Sequence, residues 1–126
     1  MMLILDAGAF VAAERGNREV LARVKRERRL GLAPLTNGAV VAQVWRGGHG
    51  KQVPVAQLVA STDIAPVDGR LGKRAGMLLA RTGTADAIDA SLVCLARDGD
   101  DILTSDPGDL LDLARTAGVH VEVIPV

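Results

Sequence analysis

The 126-residue chain is predicted to be a three-layer α/β/α sandwich with a mainly parallel central sheet, and three features lead there. Short, largely apolar runs such as MLIL at residues 2–5 and DILT at residues 101–104 have the length of buried parallel strands. Helical stretches separate such runs from end to end, the alternation that a parallel sheet covered on both faces requires. With 48 % hydrophobic content and no repeat, linker or low-complexity tract, the chain suits a single domain spanning residues 1–126.

Residues 2–5 make the first strand, closed by Asp6 and Gly8. Residues 8–14 follow as a short helix. Asn17 then caps a second, whose apolar positions Val20, Leu21, Val24 and Leu30 recur at helical spacing until Gly31. Residues 32–34 read as a short strand, after which Thr36 or Asn37 caps a helix carrying Val40, Val41, Val44 and Trp45 and stopped by Gly47 and Gly48. Residues 53–60 form a further helix with Pro54 in its first turn. Pro66 limits a strand at 64–67.

Asp68 caps a helix to about residue 80, with Leu71, Ala75, Leu78 and Leu79 on one face. Thr84 caps the next, expected to run to about residue 97. Residues 101–104 are a strand, Pro107 starts another helix, and residues 119–124 form the last strand.

Net charge is zero but unevenly spread. Residues 1–52 hold nine Lys/Arg against four Asp/Glu, and residues 53–126 hold six against eleven, so the halves carry about +5 and −5. Such a split is compatible with a basic surface that meets an anion and an acidic pocket that holds a cation. Arg15, Arg18, Arg23, Lys25, Arg26, Arg28 and Arg29 also suit the solvated face of an amphipathic helix. Phe10 and Trp45 are the only aromatic residues, which disfavours base-stacking platforms. Cys94 is alone in an apolar run, so it reads as a structural thiol in a reducing compartment. No run approaches bilayer-spanning length, and residues 3–5 are too short for the apolar core of an export signal. A cytoplasmic protein with no membrane partner is expected.

Four aspartates fall where a parallel sheet places function, at the carboxyl ends of its strands. Asp6 follows the first strand and Asp106 follows residues 101–104. Asp86 and Asp89, three apart, share one face of a helix start. Asp6, Asp86 and Asp106 each also suit a helix cap or first turn. Asp89 does not, because it lies past the expected cap among apolar neighbours. Carboxylates gathered in a partly buried site stay ionised only beside a compensating cation. Oxygen-only ligation suits Mg²⁺ or Mn²⁺, which supports phosphodiester hydrolysis. His49 and His120 lack ligand partners at suitable spacing and read as surface residues.

LILDAGAF, VVAQVWRGG, TADAIDASLVCLA and ILTSDPGDL, in this order and over essentially the whole chain, resemble PIN-domain proteins, particularly VapC-type toxins. The resemblance implies a PIN-type sandwich and an Mg²⁺- or Mn²⁺-dependent endoribonuclease. It matches Asp6, Asp89 and Asp106 to the first, third and fourth catalytic acids and adds Asp86 to the metal cluster. Thr104 and Ser105 match hydroxyl residues that help to orient metal-bound water, and Arg46 resembles a position near the acidic pocket, suited equally to contact with RNA phosphate and to a solvated helix end. The second acid of the pattern, a Glu, is replaced by Gln43, which can ligate through its carbonyl oxygen but brings no charge. A homodimer, an RNA substrate and a small antitoxin that reaches into the acidic pocket are implied as partners.

Two other classes compete. A PIN domain impaired by Gln43 would act as an RNA- or antitoxin-binding module. A phospho-acceptor receiver domain shares the length and sheet, but it needs a second acid beside Asp6, where Ala7 and Gly8 stand, and a Lys after the last strand, where none lies beyond Lys73.

Overall fold

In the computed structural model, which describes residues 1–126, five parallel strands form one sheet. Their ranges are β1 Leu3–Leu5, β2 Leu35–Asn37, β3 Asp63–Ala65, β4 Asp101–Thr104 and β5 Glu122–Pro125, and their order across the sheet is β3-β2-β1-β4-β5. Seven α-helices connect them: α1 Ala7–Glu14, α2 Arg18–Arg29, α3 Gly38–Val44, α4 Val53–Ala60, α5 Gly69–Thr82, α6 Ala87–Val93 and α7 Pro107–Ala117.

Strand order dictates the layers. The chain leaves β1 towards β2 and β3, then returns to add β4 and β5 on the other side of β1. Right-handed crossovers therefore put α1 to α4 on one face and α5 to α7 on the other. Packing agrees: α1 lies against α2, α3 and α4, while α5, α6 and α7 lie against one another. The predicted three-layer α/β/α architecture is thus the observed one. Between the layers sits one core in which Ile4, Leu5, Phe10, Leu92, Ile102, Leu103 and Leu110 are inaccessible to solvent.

Local sequence explains most element ends. Asn17 and Asp68 accept hydrogen bonds from the backbone N–H groups of Val20 and Leu71 and so start α2 and α5. Gly83 and Gly118 end α5 and α7 in left-handed backbone, the conformation that glycine adopts without steric cost. Gln52 closes α3: its Oε1 accepts from Arg46 N at 2.6 Å, and its Nε2 donates to the Val44 carbonyl at 2.7 Å.

Three expectations are corrected. The second strand is Leu35–Asn37 rather than residues 32–34, because three ladder partners on β3, Asp63, Ile64 and Ala65, pair with those residues. The helix of the TADAID stretch starts at Asp86 and not at Thr84: the Asp86 carboxylate accepts from Asp89 N at 2.9 Å. It stops at Val93 instead of residue 97, since the buried Asp100 carboxylate captures the N–H groups of Arg97 and Met2 and holds the chain in a turn. Finally, the last strand begins at Glu122; His120 precedes it, exposed, with its N–H donated to Asp98. No helix is long and apolar enough to cross a membrane.

Candidate metal centre

The order β3-β2-β1-β4-β5 makes the gap between β1 and β4 a topological switch point, where connections leave towards opposite faces and a crevice opens beyond the carboxyl ends of the strands. Asp6 stands at the end of β1 and Asp106 two residues beyond β4. From the α5–α7 layer, α6 brings Asp86 and Asp89 to the same place. The field of Asp6, Asp86, Asp106 and Asp109 together acts on Asp89.

These acids are held differently. Asp6, 5 % exposed, has both oxygens engaged: Oδ1 accepts from Ala7 N at 2.8 Å as the cap of α1, and Oδ2 accepts from the Thr104 hydroxyl at 2.6 Å. The same Thr104 oxygen accepts from Asp106 N at 2.9 Å. Thr104 is wholly buried. Its single hydroxyl thus fixes the Asp6 carboxylate and the Asp106 backbone relative to each other. Asp86 is exposed and spends one oxygen on capping α6.

Asp89 is the exception. It is 6 % exposed, yet its carboxylate accepts no hydrogen bond from the protein. Burial, then the charges of Asp6, Asp86, Asp106 and Asp109, push its pKa from 3.8 up to about 7. Asp106 occupies the cap position of α7 without capping it; burial raises its pKa too, followed by its hydrogen-bonded and charged neighbour Asp109. One carboxylate oxygen from each of Asp89, Asp106 and Asp109 lies within 4.8 Å of the other two. Asp6 is outside that tightest triad and Asp109 inside it.

Asp109 is therefore a member of the acidic cluster that sequence reading passed over. A signal for it exists: DPGD repeats the three-residue spacing of Asp86 and Asp89 at the start of a helix. Asn37 is a second omission of role. Completely buried, it accepts from Ala39 N and Val40 N to start α3, and its Nδ2 donates to the Ser91 hydroxyl on α6 at 3.0 Å. Cap and cross-link together tie the helix that carries Asp89 to the end of β2.

Gln43, Arg46 and Ser105 are surface residues. Gln43 is an exposed residue of α3 whose side chain makes no hydrogen bond. Arg46 folds its guanidinium back onto the carbonyls of Ala42 and Trp45, at 3.2 and 2.6 Å, as a helix-end group. Ser105 is exposed and abuts α1 so closely that a Cβ on Gly8 would come within 2.6 Å of its Oγ and 2.7 Å of its backbone nitrogen. Beside this contact opens a cleft of about 490 Å³, lined by Gly8, Val11, Arg15, Asn17 and Ser105. His49 is exposed, as expected, and Cys94 is half-buried, with burial raising its thiol pKa.

An all-oxygen donor set, in which the largely buried Asp89 leaves its carboxylate oxygens open to solvent and without a protein partner, fits a hard divalent cation. A parallel 3-2-1-4-5 sheet between two helical layers, with acids gathered at its switch point, has the PIN-like architecture. Among solved structures, the chain is similar to one in the crystal structure of VapBC2 from Rickettsia felis bound to a DNA fragment from their promoter. The TM-score is 0.71 at 12% sequence identity, and the alignment covers 98% of this chain and 98% of that one. No protein-family model matches the sequence, and a search of curated proteins gives no match. The likeness to VapBC2 is one of fold, over the full length, and it agrees with the resemblance read from the four sequence motifs.

Proposed function

We propose that the chain is the toxin of a toxin–antitoxin pair, a Mg²⁺- or Mn²⁺-dependent endoribonuclease that hydrolyses RNA phosphodiesters in the crevice between β1 and β4. The observation that carries this reading is Asp89: a largely buried residue whose open carboxylate has no protein donor, raised to about 7 by burial and its acidic neighbours, at the sheet's switch point. Asp6, Asp86, Asp89 and Asp106 hold the ion, and Gln43 occupies the weakened ligand position. When bound, the ion supplies the means to activate water and to neutralise charge developing on phosphoryl oxygens.

The chain's own residues supply placement. Thr104 aims the Asp6 carboxylate and steadies the loop of Asp106. Ser105, at the mouth of the cleft beside Gly8 and Arg15, faces the substrate, and Arg46 contacts phosphate after leaving its helix-end carbonyls. Basic residues of α1 and α2 steer RNA towards the acids. The fold shared with a toxin–antitoxin complex bound to promoter DNA supports an antitoxin as partner, and homodimerisation in the cytoplasm follows from the same resemblance.

The test is cleavage of total RNA by the purified chain with Mn²⁺, beside Asp6→Asn and Gln43→Glu. Wild type is expected to cut, Asp6→Asn to lose at least a hundredfold, and Gln43→Glu to gain. A second reading, an RNA- or antitoxin-binding module without turnover, is favoured by the neutral, unbonded Gln43. A silent wild type beside an active Gln43→Glu decides for that reading.

A further inference from the structure

The loop between α3 and α4 is tied into one shape. Gln52 accepts from the backbone N–H groups of Arg46 and Gly48 at 2.6 and 3.3 Å and donates to the Val44 carbonyl at 2.7 Å, so one side chain joins the two ends of the turn. Gly47 and Gly48 bend it through positive φ angles of 104° and 74°. Over Gly48 lies the six-membered part of the Trp45 indole: a Cβ on Gly48 would come within 2.7 Å of Cη2 and 2.9 Å of Cζ2. Trp45 is thus backed by main chain, yet it remains 40 % exposed.

The charge around this indole has one sign. Arg46, His49 and Lys51 are exposed on the same loop, and no Asp or Glu lies between Glu27 and Asp63. The molecule's one ion pair joins Arg23 to Glu19, which leaves Arg46 and Lys51 without a carboxylate partner. A lone exposed aromatic residue is common on protein surfaces and by itself calls for no ligand. One that is held in place among unpaired cations supplies both parts of single-strand binding, a π-face for a base and positive charge for phosphates. With no second aromatic beside it, the loop can stack one base and not a run of them.

We propose that the α3–α4 loop is an RNA-docking site outside the acidic crevice, where Trp45 stacks on one unpaired base and Arg46 and Lys51 contact the flanking phosphates. Helix α3 starts at the carboxyl end of β2 and is seven residues long, which sets the loop about 10 Å along the helix from that edge of the sheet. A strand anchored there has another part free to reach the acids. The inference rests on the RNA-cleaving reading above and adds to it a binding point away from the metal centre.

Trp45 is the only tryptophan and the chain has no tyrosine, so intrinsic fluorescence reports on this one ring. The full chain is titrated in EDTA with an oligouridylate of about 12 nucleotides, either single-stranded or annealed to oligoadenylate. Fluorescence follows the ring, and filter binding gives the affinity of wild type, Trp45→Leu, Trp45→Phe and Lys51→Gln. The single strand is expected to quench Trp45 saturably and the duplex to leave it unchanged. Leucine keeps apolar cover over Gly48 without a π-face, so Trp45→Leu is expected to bind about fivefold more weakly or worse. Trp45→Phe should stay within about threefold of wild type, and Lys51→Gln should flatten the salt dependence by about 0.7 in logarithmic slope. Quenching of the wild type decides the stacking even where a variant fails to fold. Unchanged fluorescence in wild type bound to the single strand, or Trp45→Leu binding as tightly as wild type, overturns the site and leaves RNA bound elsewhere on the chain. A fluorescence change on concentrating the protein alone, with a dimer in sedimentation, overturns it in favour of a second copy covering Trp45. A wild type that binds no oligonucleotide but cuts total RNA with Mn²⁺ removes the docking site alone, and one that does neither removes the reading under it as well.

Discussion

Replacing Asp89 by Asn in the metal-free protein is expected to stabilise it, against the usual outcome for a buried site. The folded protein keeps the Asp89 proton up to about pH 7, whereas an unfolded chain releases it near 3.8. A raised carboxyl pKa means that the folded state binds more protons between those values. Stability therefore falls as pH rises from about 4 to about 7 and is level above that. Three pKa units at 1.36 kcal/mol each correspond to about 4 kcal/mol, which water reaching the exposed partners Asp106 and Asp109 reduces to about 2 kcal/mol. Asn keeps the shape, loses no hydrogen bond because the carboxylate has none, and carries no charge to repel.

Thermal or urea unfolding at about pH 4.5 and pH 8, with and without Mn²⁺, measures this. Without metal, Asp89→Asn is expected to match wild type near pH 4.5 and to exceed it near pH 8 by about 2 kcal/mol, a rise in melting temperature of about 8 °C for a chain of this size. With Mn²⁺ the order is expected to reverse, because an ion bound at the proposed centre would stabilise the folded wild type in proportion to its occupancy. Equal or lower stability of Asp89→Asn near pH 8 without metal, with the same pH slope as wild type, refutes the argument that uncompensated charge is stored at Asp89.

Other perturbations probe how the site is positioned. Thr104→Val keeps the volume but leaves the Asp6 oxygen and the Asp106 N–H without their shared hydroxyl; a loss of about 2 kcal/mol in urea unfolding is expected, together with weaker Mn²⁺ binding. For Gly8→Ala two effects oppose. Alanine favours the helix by about 0.5–1 kcal/mol, but a Cβ within 2.7 Å of the Ser105 backbone overpacks the junction at a cost of about 1–3 kcal/mol. Net destabilisation with displaced Ser105 resonances in NMR spectra is expected, and a more stable variant shows the contact to be soft. Across the ladder, Asp101 is registered with Glu122, and its pKa is raised by burial first and by Glu122 next. Glu122→Lys is expected to lower the Asp101 pKa in an NMR titration and to add about 0.2–1 kcal/mol of stability.

Element type was legible in the sequence wherever the signal is local. The apolar pattern of Val20 and Val24, the caps Asn17 and Asp68, and Pro107 opening α7 each act within one or two turns, and the structure reproduces them. Pairing is not local. Residues 32–34 and 35–37 are similarly suited to a short strand, and the choice falls to Leu35–Asn37 through partners on β3. Likewise, Thr84 and Asp86 both cap well in isolation, and only the relation of α6 to the crevice selects Asp86.

The sequence by itself determined a parallel α/β/α sandwich with acids at its strand ends, because periodicity, caps and residue chemistry act over short stretches. It also placed Asp6, Asp89 and Asp106 in one region of the fold. Tertiary structure alone decided how each carboxylate is held. Asp6 is clamped by Thr104, whose β4 position lies 98 residues away in the chain, and Asp86 is spent on a cap. Asp109 joins Asp89 and Asp106 across two helices. Hydrogen-bond partners and burial belong to neighbours in space, so which acids are left free to bind a cation is settled only when the sheet brings β1, β4, α6 and α7 together.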